Sequence, residues 1–292
     1  MKDKIIYRIL FLVLFVGLFA FTGCSRGDKG DGSNAQRVTI KGSDTMVHLV
    51  SAWAEAIMIA DPAMEISVTG GGSGTGIAAM LNKTTDIAAS SRNMREKELT
   101  LAESKGITMN GIIVGKDGIA VIVNAGSPIS SLTLEQLKKI FAGELTSWNE
   151  FGGADREIIV LSRESNSGTF VFFQKFVLQK NDYTANALLL PSSASVIQTV
   201  NDNDASIGYV GLGYAEHAGE NVKVISVRPD ENSDAVMPSV ATVKSGEYPI
   251  ARPLFFFVNG EPAGATKTFI EFCLSGEGQK IITEVGYVPV TE

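Results

Sequence analysis

Three turns in this sequence set glycine and hydroxyl residues between an extended segment and a helix. They are Gly42-Ser43-Asp44-Thr45, Gly72-Ser73-Gly74-Thr75-Gly76 and Ser167-Gly168-Thr169. Ser90-Ser91-Arg92 is a fourth candidate, with two hydroxyls and a guanidinium. The first amides of a helix lack partners inside it, and together with the helix dipole they make a ready anion site. Arg163, four residues before Ser167, adds a planar fork that can meet two oxygens of a tetrahedral oxyanion, each charge-assisted bond contributing about 1.5–3 kcal/mol. Any one such turn is ordinarily just an N-cap, and a lone arginine is ordinarily salt-bridged or at the surface. Several together describe a cage for an oxyanion.

Other chemistries fail on spacing. The run Gly70 to Gly76 lacks the Gly-Lys-Ser/Thr ending of a P-loop and holds no G-x-G-x-x-G frame, and the one G-x-S-x-G match, over 23–27, straddles Cys24 and is not a strand-to-helix elbow. The two histidines, His48 and His217, have no partner at metal-ligand spacing, so a zinc site or a Ser-His-Asp triad is poorly supplied. No metal, cofactor or catalytic residue is expected. Asp44, Asp86 and Asp117 each lie near a turn, where capping or solvated roles are the default.

The elements that position these turns repeat a pattern of strand, turn and helix. Arg37 to Lys41 alternates as a strand, Met46 to Ala60 has helical spacing up to Asp61-Pro62, and Met64 to Thr69 is the second strand. A helix is expected from Ile77, a short strand over 86–89 and a helix over 94–104. Two strands follow, over 111–114 and 118–124. Thr133 and Gln136 form a capping-box pattern ahead of a helix to Phe141. Strand, turn and helix recur over 157–161, 163–169 and 170–178. A helix is expected around 196–200, strands over 205–210, 222–227 and 252–258, and helices over 265–274 and 278–284. This is an α/β protein with mainly parallel sheets, and its length suggests two of them.

The 292 residues carry 25 basic against 32 acidic side chains, a formal charge of −7, which argues against nucleic acid as a partner. At the start, Lys2, Lys4 and Arg8 precede an apolar run over 9–21 that is too short for a comfortable membrane span. A signal peptide is therefore expected over 1–23. Its closing Phe21-Thr22-Gly23-Cys24 resembles a bacterial lipobox, so Cys24 is expected to carry lipid. Its removal leaves 22 basic and 31 acidic side chains, or −9. Residues 24–36 read as a flexible tether. Cys273 then stands alone in Phe269-Ile270-Glu271-Phe272-Cys273-Leu274 and reads as a buried, inert thiol.

The segments GSDTM (42–46), GGGSGTG (70–76), DIAASSR (86–92), KDGIAVIVN (116–124), RESNSGT (163–169), SIGYVGLGY (206–214) and YPIARPLFFFVNG (248–260) resemble, in order, the phosphate-binding lipoproteins of bacterial ABC importers. The resemblance implies a type II periplasmic-binding-protein fold, with two α/β lobes joined by two crossover strands and the ligand in the cleft. Lobe I would comprise 37–117 plus 248–292, and lobe II 118–247. Phosphate would be held by Thr45, the amide of Met46, Ser73, Ser91, Arg92, Arg163, Ser167, Gly168 and Thr169. Well-described family members place an aspartate where this chain has Ser91, while many relatives carry the same Ser-Ser-Arg form, and the acidic partner expected two residues after the arginine is here Ser165. A hydroxyl lacks the charge that repels fully ionised oxyanions. The implied partners are inorganic phosphate, the permease subunits of an ABC importer and, through Cys24, a membrane. The implied protein is an extracytoplasmic monomer that makes and breaks no bonds. Sulfate or molybdate binding and a secreted phosphatase are the alternatives.

Overall fold

The computed structural model describes residues 36–290. The signal peptide over 1–23, lipidation at Cys24 and the tether up to residue 35 lie outside the described residues. Gln36, the last residue of the expected tether, already belongs to β1 (Gln36–Gly42). A 3-10 turn over Asp44–Met46 leads into α1 (Val47–Ala60), followed by β2 (Met64–Thr69), α2 (Ser73–Leu81), β3 (Ile87–Ser90), α3 (Glu96–Ser104) and the 16-residue β4 (Met109–Asn124). Next come β5 (Ser131–Thr133), α4 (Leu134–Ala142), β6 (Ile159–Arg163), α5 (Gly168–Phe176), β7 (Leu188–Leu190), α6 (Ser193–Asp202) and β8 (Ser206–Gly211). The order ends with α7 (Leu212–Ala215), β9 (Val222–Arg228), α8 (Val240–Ser245), β10 (Ala251–Asn259), α9 (Gly264–Leu274) and α10 (Gly276–Glu284).

Where two sheets are expected, hydrogen bonds join the strands into one 10-stranded sheet ordered β2-β1-β3-β10-β4-β8-β6-β7, with β9 beside β4 and β5 beside β9. The reason is β4, a single strand where the glycines suggest two. Its first part pairs antiparallel with β10 and its last part with β8 and β9. Gly115 and Gly118 are not breaks. A Cβ at Gly115 would lie 2.2 Å from Ile282 Cδ1 and one at Gly118 2.6 Å from Val243 Cγ2, so both are glycine because other elements press on the strand. The sheet is mixed. Parallel pairs occur at β1/β2, β1/β3, β6/β7, β6/β8 and β5/β9, and β10 runs antiparallel to both β3 and β4.

α2 begins at Ser73, inside the glycine run, and Gly76 lies within it because the β1 backbone at Lys41 and Gly42 leaves no room for a side chain. α4 carries its capping box, with the Gln136 amide donating to Thr133 Oγ1 at 3.1 Å and the Thr133 amide to Gln136 Oε1 at 2.8 Å.

Two large apolar clusters flank the sheet. One gathers Val38, Ile40, Leu49, Trp53, Phe256 and Phe269, and the other Ile119, Val121, Phe141, Phe173, Ile207 and Tyr209. Trp53 is anchored by its indole, which donates to the Gly278 carbonyl at 2.7 Å. Cys273 is fully buried, and burial pushes its thiol well above the ordinary range, which suppresses the thiolate that would react. Contacts unite the chain from Gln36 onward in one compact unit.

At the start of α3 the Glu98 carboxylate takes the Arg95 amide at 2.8 Å and both Nη groups of Arg92 at 2.8 and 2.7 Å. Burial opposes its ionisation, but the Arg92 fork and the Arg95 amide outweigh that and hold the carboxyl below the ordinary glutamate range. A depressed carboxylate stabilises above its unfolded-state pKa and loses that contribution as pH falls through its folded-state pKa. Glu98→Gln is therefore expected to cost about 1.5–3 kcal/mol at pH 7, read by urea unfolding, with the gap to wild type closing below about pH 4.

Candidate oxyanion site

The turns that carry the candidate residues converge although they lie far apart in sequence. Thr45 Oγ1, in the turn before α1, is 2.8 Å from Thr169 Oγ1 in the first turn of α5. Both residues are buried, at 2% and 1% exposure. Tyr287 and Tyr214 donate their hydroxyls to the carbonyls of Thr45 and Asp44, which fixes that turn from α7 and the C-terminal segment. Beside the threonines, Ser43 Oγ donates to Ser91 Oγ at 3.0 Å and Ser91 Oγ lies 3.3 Å from Ser73 Oγ. The Ser91 amide donates to Ser73 Oγ at 3.1 Å.

Gly168, the first residue of α5, presses on these serines. A Cβ there would stand 2.2 Å from Ser73 Oγ and 2.5 Å from Ser91 Oγ. Thr45, Ser73, Ser91, Gly168 and Thr169 are thus brought together. Each hydroxyl can donate or accept, so the group can turn its protons toward an anion without moving the backbone.

The loop before α5 closes on the glycine run. Gly74 donates its amide to the Asn166 carbonyl at 2.9 Å, and Asn166 Nδ2 donates to the Gly71 carbonyl at 3.0 Å. Gly72 has φ of 100° and stands so near Asn166 that a Cβ would be 2.8 Å from its carbonyl oxygen. Two candidates are occupied with turn geometry. Ser167 Oγ accepts the amides of Thr169 and Phe170 as the N-cap of α5, and the Met46 amide donates to the Ser43 carbonyl at 3.1 Å.

The arginines divide. Arg92 holds Glu98 and the Asn93 carbonyl. Arg163 donates to the carbonyls of Leu190 and Pro191 and to Ser193 Oγ, and pairs with Asp44 at 3.0 Å, so in this arrangement it braces the β7–α6 connection. Asp44 also accepts the Ser193 amide at 2.8 Å, a cap for α6, and Asp86 accepts the Thr39 amide at 2.8 Å.

Asp117 corrects the expectation of a solvated role, although it does take the first amide of α7. It is fully buried, on β4 directly opposite Arg252 of β10, and takes Arg252 Nη2 at 2.8 Å and Nε at 3.1 Å. Its other oxygen accepts the Leu212 amide at 3.0 Å. Burial pushes the Asp117 carboxyl up against the pull of Arg252, and lowers the guanidinium of Arg252. Arg252 Nη2 also reaches Thr169 Oγ1 at 3.0 Å and Thr45 Oγ1 at 3.4 Å. Arg252 and Asp117 therefore adjoin the hydroxyl cluster, and the turn-based reading of the sequence missed both.

Many known proteins resemble this chain in sequence or in fold. A model described as the PBP superfamily domain matches residues 29–277. The phosphate-binding protein PstS of Bacillus subtilis (strain 168) is 31% identical over 303 residues, covering 100% of this chain and 95% of that protein. PstS of Pseudomonas aeruginosa (strain PAO1) is 30% identical, covering 85% of this chain and 81% of its own length. Among solved structures, a Clostridium perfringens protein assigned as a phosphate ABC transporter substrate-binding protein, with phosphate bound, is 30% identical, with a TM-score of 0.78 over 87% of this chain and 100% of that one. An ABC-type phosphate transport receptor from Vibrio cholerae, also 30% identical, gives a TM-score of 0.68 over 86% and 99%. The chain has the periplasmic-binding-protein fold and belongs to the PBP superfamily and, within it, to the family of the phosphate-binding proteins PstS.

Proposed function

We propose that this protein binds inorganic phosphate outside the cytoplasm and delivers it to an ABC importer, without catalysing a reaction. The observation that carries this reading is the meeting of Thr45, Ser73 and Ser91 with Gly168 and Thr169, residues of turns that lie 18 to 124 positions apart gathered at the start of one helix. The printed names of the relatives, phosphate-binding proteins and phosphate transport receptors, support phosphate as the guest.

In this reading 37–117 with 248–292 form one lobe and 118–247 the other, and Thr45, Met46, Ser73, Ser91 and Arg92 face Arg163, Ser167, Gly168 and Thr169 across the cleft. An anion held by both sets binds the closed state better than the open one, so phosphate shifts the population toward closure and the permease reads the closed form. The Ser91 hydroxyl can accept the proton of hydrogen phosphate, with weaker rejection of sulfate than a carboxylate would give. Lipid on Cys24 would tether a monomer to a bacterial membrane, on its periplasmic or cell-surface side. Among the described residues no helix is long and apolar enough to cross a membrane.

Isothermal titration of the unlipidated protein with phosphate, sulfate and molybdate tests the reading, and phosphate is expected to bind with a Kd of micromolar order, about −8 kcal/mol. No heat with phosphate, or tighter binding of molybdate, would overturn it. Thr169→Ala is expected to weaken phosphate binding by roughly 10- to 100-fold, the value of one hydrogen bond to a charged group. Gly168→Ala puts a methyl onto the serine hydroxyls and holds the lobes apart. It is expected to abolish binding at millimolar phosphate while the circular dichroism spectrum stays that of the wild type. A chromogenic phosphomonoester incubated with pure protein should release no product above the buffer rate.

A further inference from the structure

The hydroxyl cluster lies among buried arginines that differ in one respect. Arg163 has contacts from each of its three nitrogens, to two carbonyls, a serine and Asp44. Arg92 spends both Nη groups on Glu98 and leaves only its inner Nε without a partner among the described residues. Arg252 is buried at 2% exposure, yet its Nη1 has no hydrogen-bond partner among the described residues. An unpaired donor on a buried charge is costly, and native proteins keep few of them without a use.

The location of Arg252 supplies the use. Its Nη2 already touches Thr169 Oγ1 and Thr45 Oγ1, the two hydroxyls that meet from distant parts of the chain. Its orientation is held on three sides. Asp117 grips Nε and Nη2 from the neighbouring strand, the antiparallel register sets the two residues opposite each other, and the Phe172 ring lies 5.6 Å from the guanidinium carbon. A fork so held loses little freedom on meeting a planar pair of oxygens.

We infer that Arg252, not Arg163 alone, gives the bound oxyanion its guanidinium contact through Nη1, and that Asp117 is the residue that positions it. This rests on the phosphate reading above and adds to it a ligand-contacting residue and its orienting partner. Asp117 also cancels the charge of Arg252, so the fork contributes directed hydrogen bonds more than net attraction. The pair adjoins Thr45 and Thr169 and sets a buried carboxylate one residue away from both hydroxyls.

The test uses the unlipidated wild-type chain, Arg252→Lys and Asp117→Asn, with inorganic phosphate as the probe. Titration calorimetry gives the Kd and thermal unfolding reports the folded fraction. Arg252→Lys keeps the charge but loses the fork, and is expected to bind phosphate roughly 30- to 100-fold more weakly while still folded at the assay temperature. In the wild type, NMR of arginine side chains should show an Nη1 proton resonance that shifts on adding phosphate and is missing in Arg252→Lys. In Asp117→Asn that resonance should lose its response to phosphate, a change that a purely structural role for Asp117 would not produce in a folded protein. Wild-type affinity in folded Arg252→Lys overturns the inference. Should that variant fail to fold, an Nη1 spectrum of the wild type indifferent to phosphate overturns it equally. If the wild type itself takes up no phosphate in the calorimeter, the phosphate reading falls first and this assignment with it.

Discussion

A buried guanidinium has to be neutralised and its donors matched, and at Arg252 that requirement ties distant parts of the chain into one object. Its carboxylate comes from β4, its hydroxyl neighbours from the turns before α1 and in α5, and the ring beside it from α5. Asp117 in turn fixes the amide of Leu212 at the start of α7, and α7 supplies the tyrosine that holds the carbonyl of Asp44. Replacing either charge by an apolar group would strand the other in the interior, which is far more costly than the loss of a surface pair.

The central strands make this possible. β4 and β10 run side by side through the middle of the sheet, and the register that pairs Ala251 with Gly118 and Arg252 with Asp117 puts the ion pair at a defined height next to the hydroxyl turns. Arg252 and Asp117 are held by the pairing of β10 with β4, so the guanidinium has less play than a residue on a loop. The hydroxyls sit instead in turns and on helix starts, where the backbone is fixed but the proton is free to swing. The site thus combines a rigid fork with adjustable donors.

Much of this could be read from the sequence. Thr45, Ser73, Ser91, Gly168 and Thr169 betray themselves because glycine and hydroxyl residues at a strand-to-helix junction have a local signature, and the junctions fell close to where the structure has them. Arg252 and Asp117 have no such signature. They stand 135 positions apart on strands, and only their mutual register explains either one. The available cue was a charge embedded in runs such as Arg252-Pro253-Leu254-Phe255-Phe256-Phe257, since a charge on a strand that is otherwise buried demands a partner. The glycines of β4 misled in the opposite direction. Gly115 and Gly118 look like interruptions, and only the neighbouring Ile282 and Val243 reveal that they make room for packing. Arg163 is a further case: its spacing from Ser167 was informative about the turn, while its bonds to Leu190, Pro191 and Asp44 depend on parts of the chain that no local pattern connects.

Each of the buried guanidiniums Arg92, Arg163 and Arg252 stands within 3.0 Å of a carboxylate of its own. An anion arriving there meets oriented dipoles and short donors, not a pool of uncompensated positive charge. Mobile ions screen long-range fields over about 8 Å at physiological ionic strength, but they scarcely weaken a contact of ordinary hydrogen-bond length inside a dry interior. Capture built this way should keep its strength from fresh water to brine.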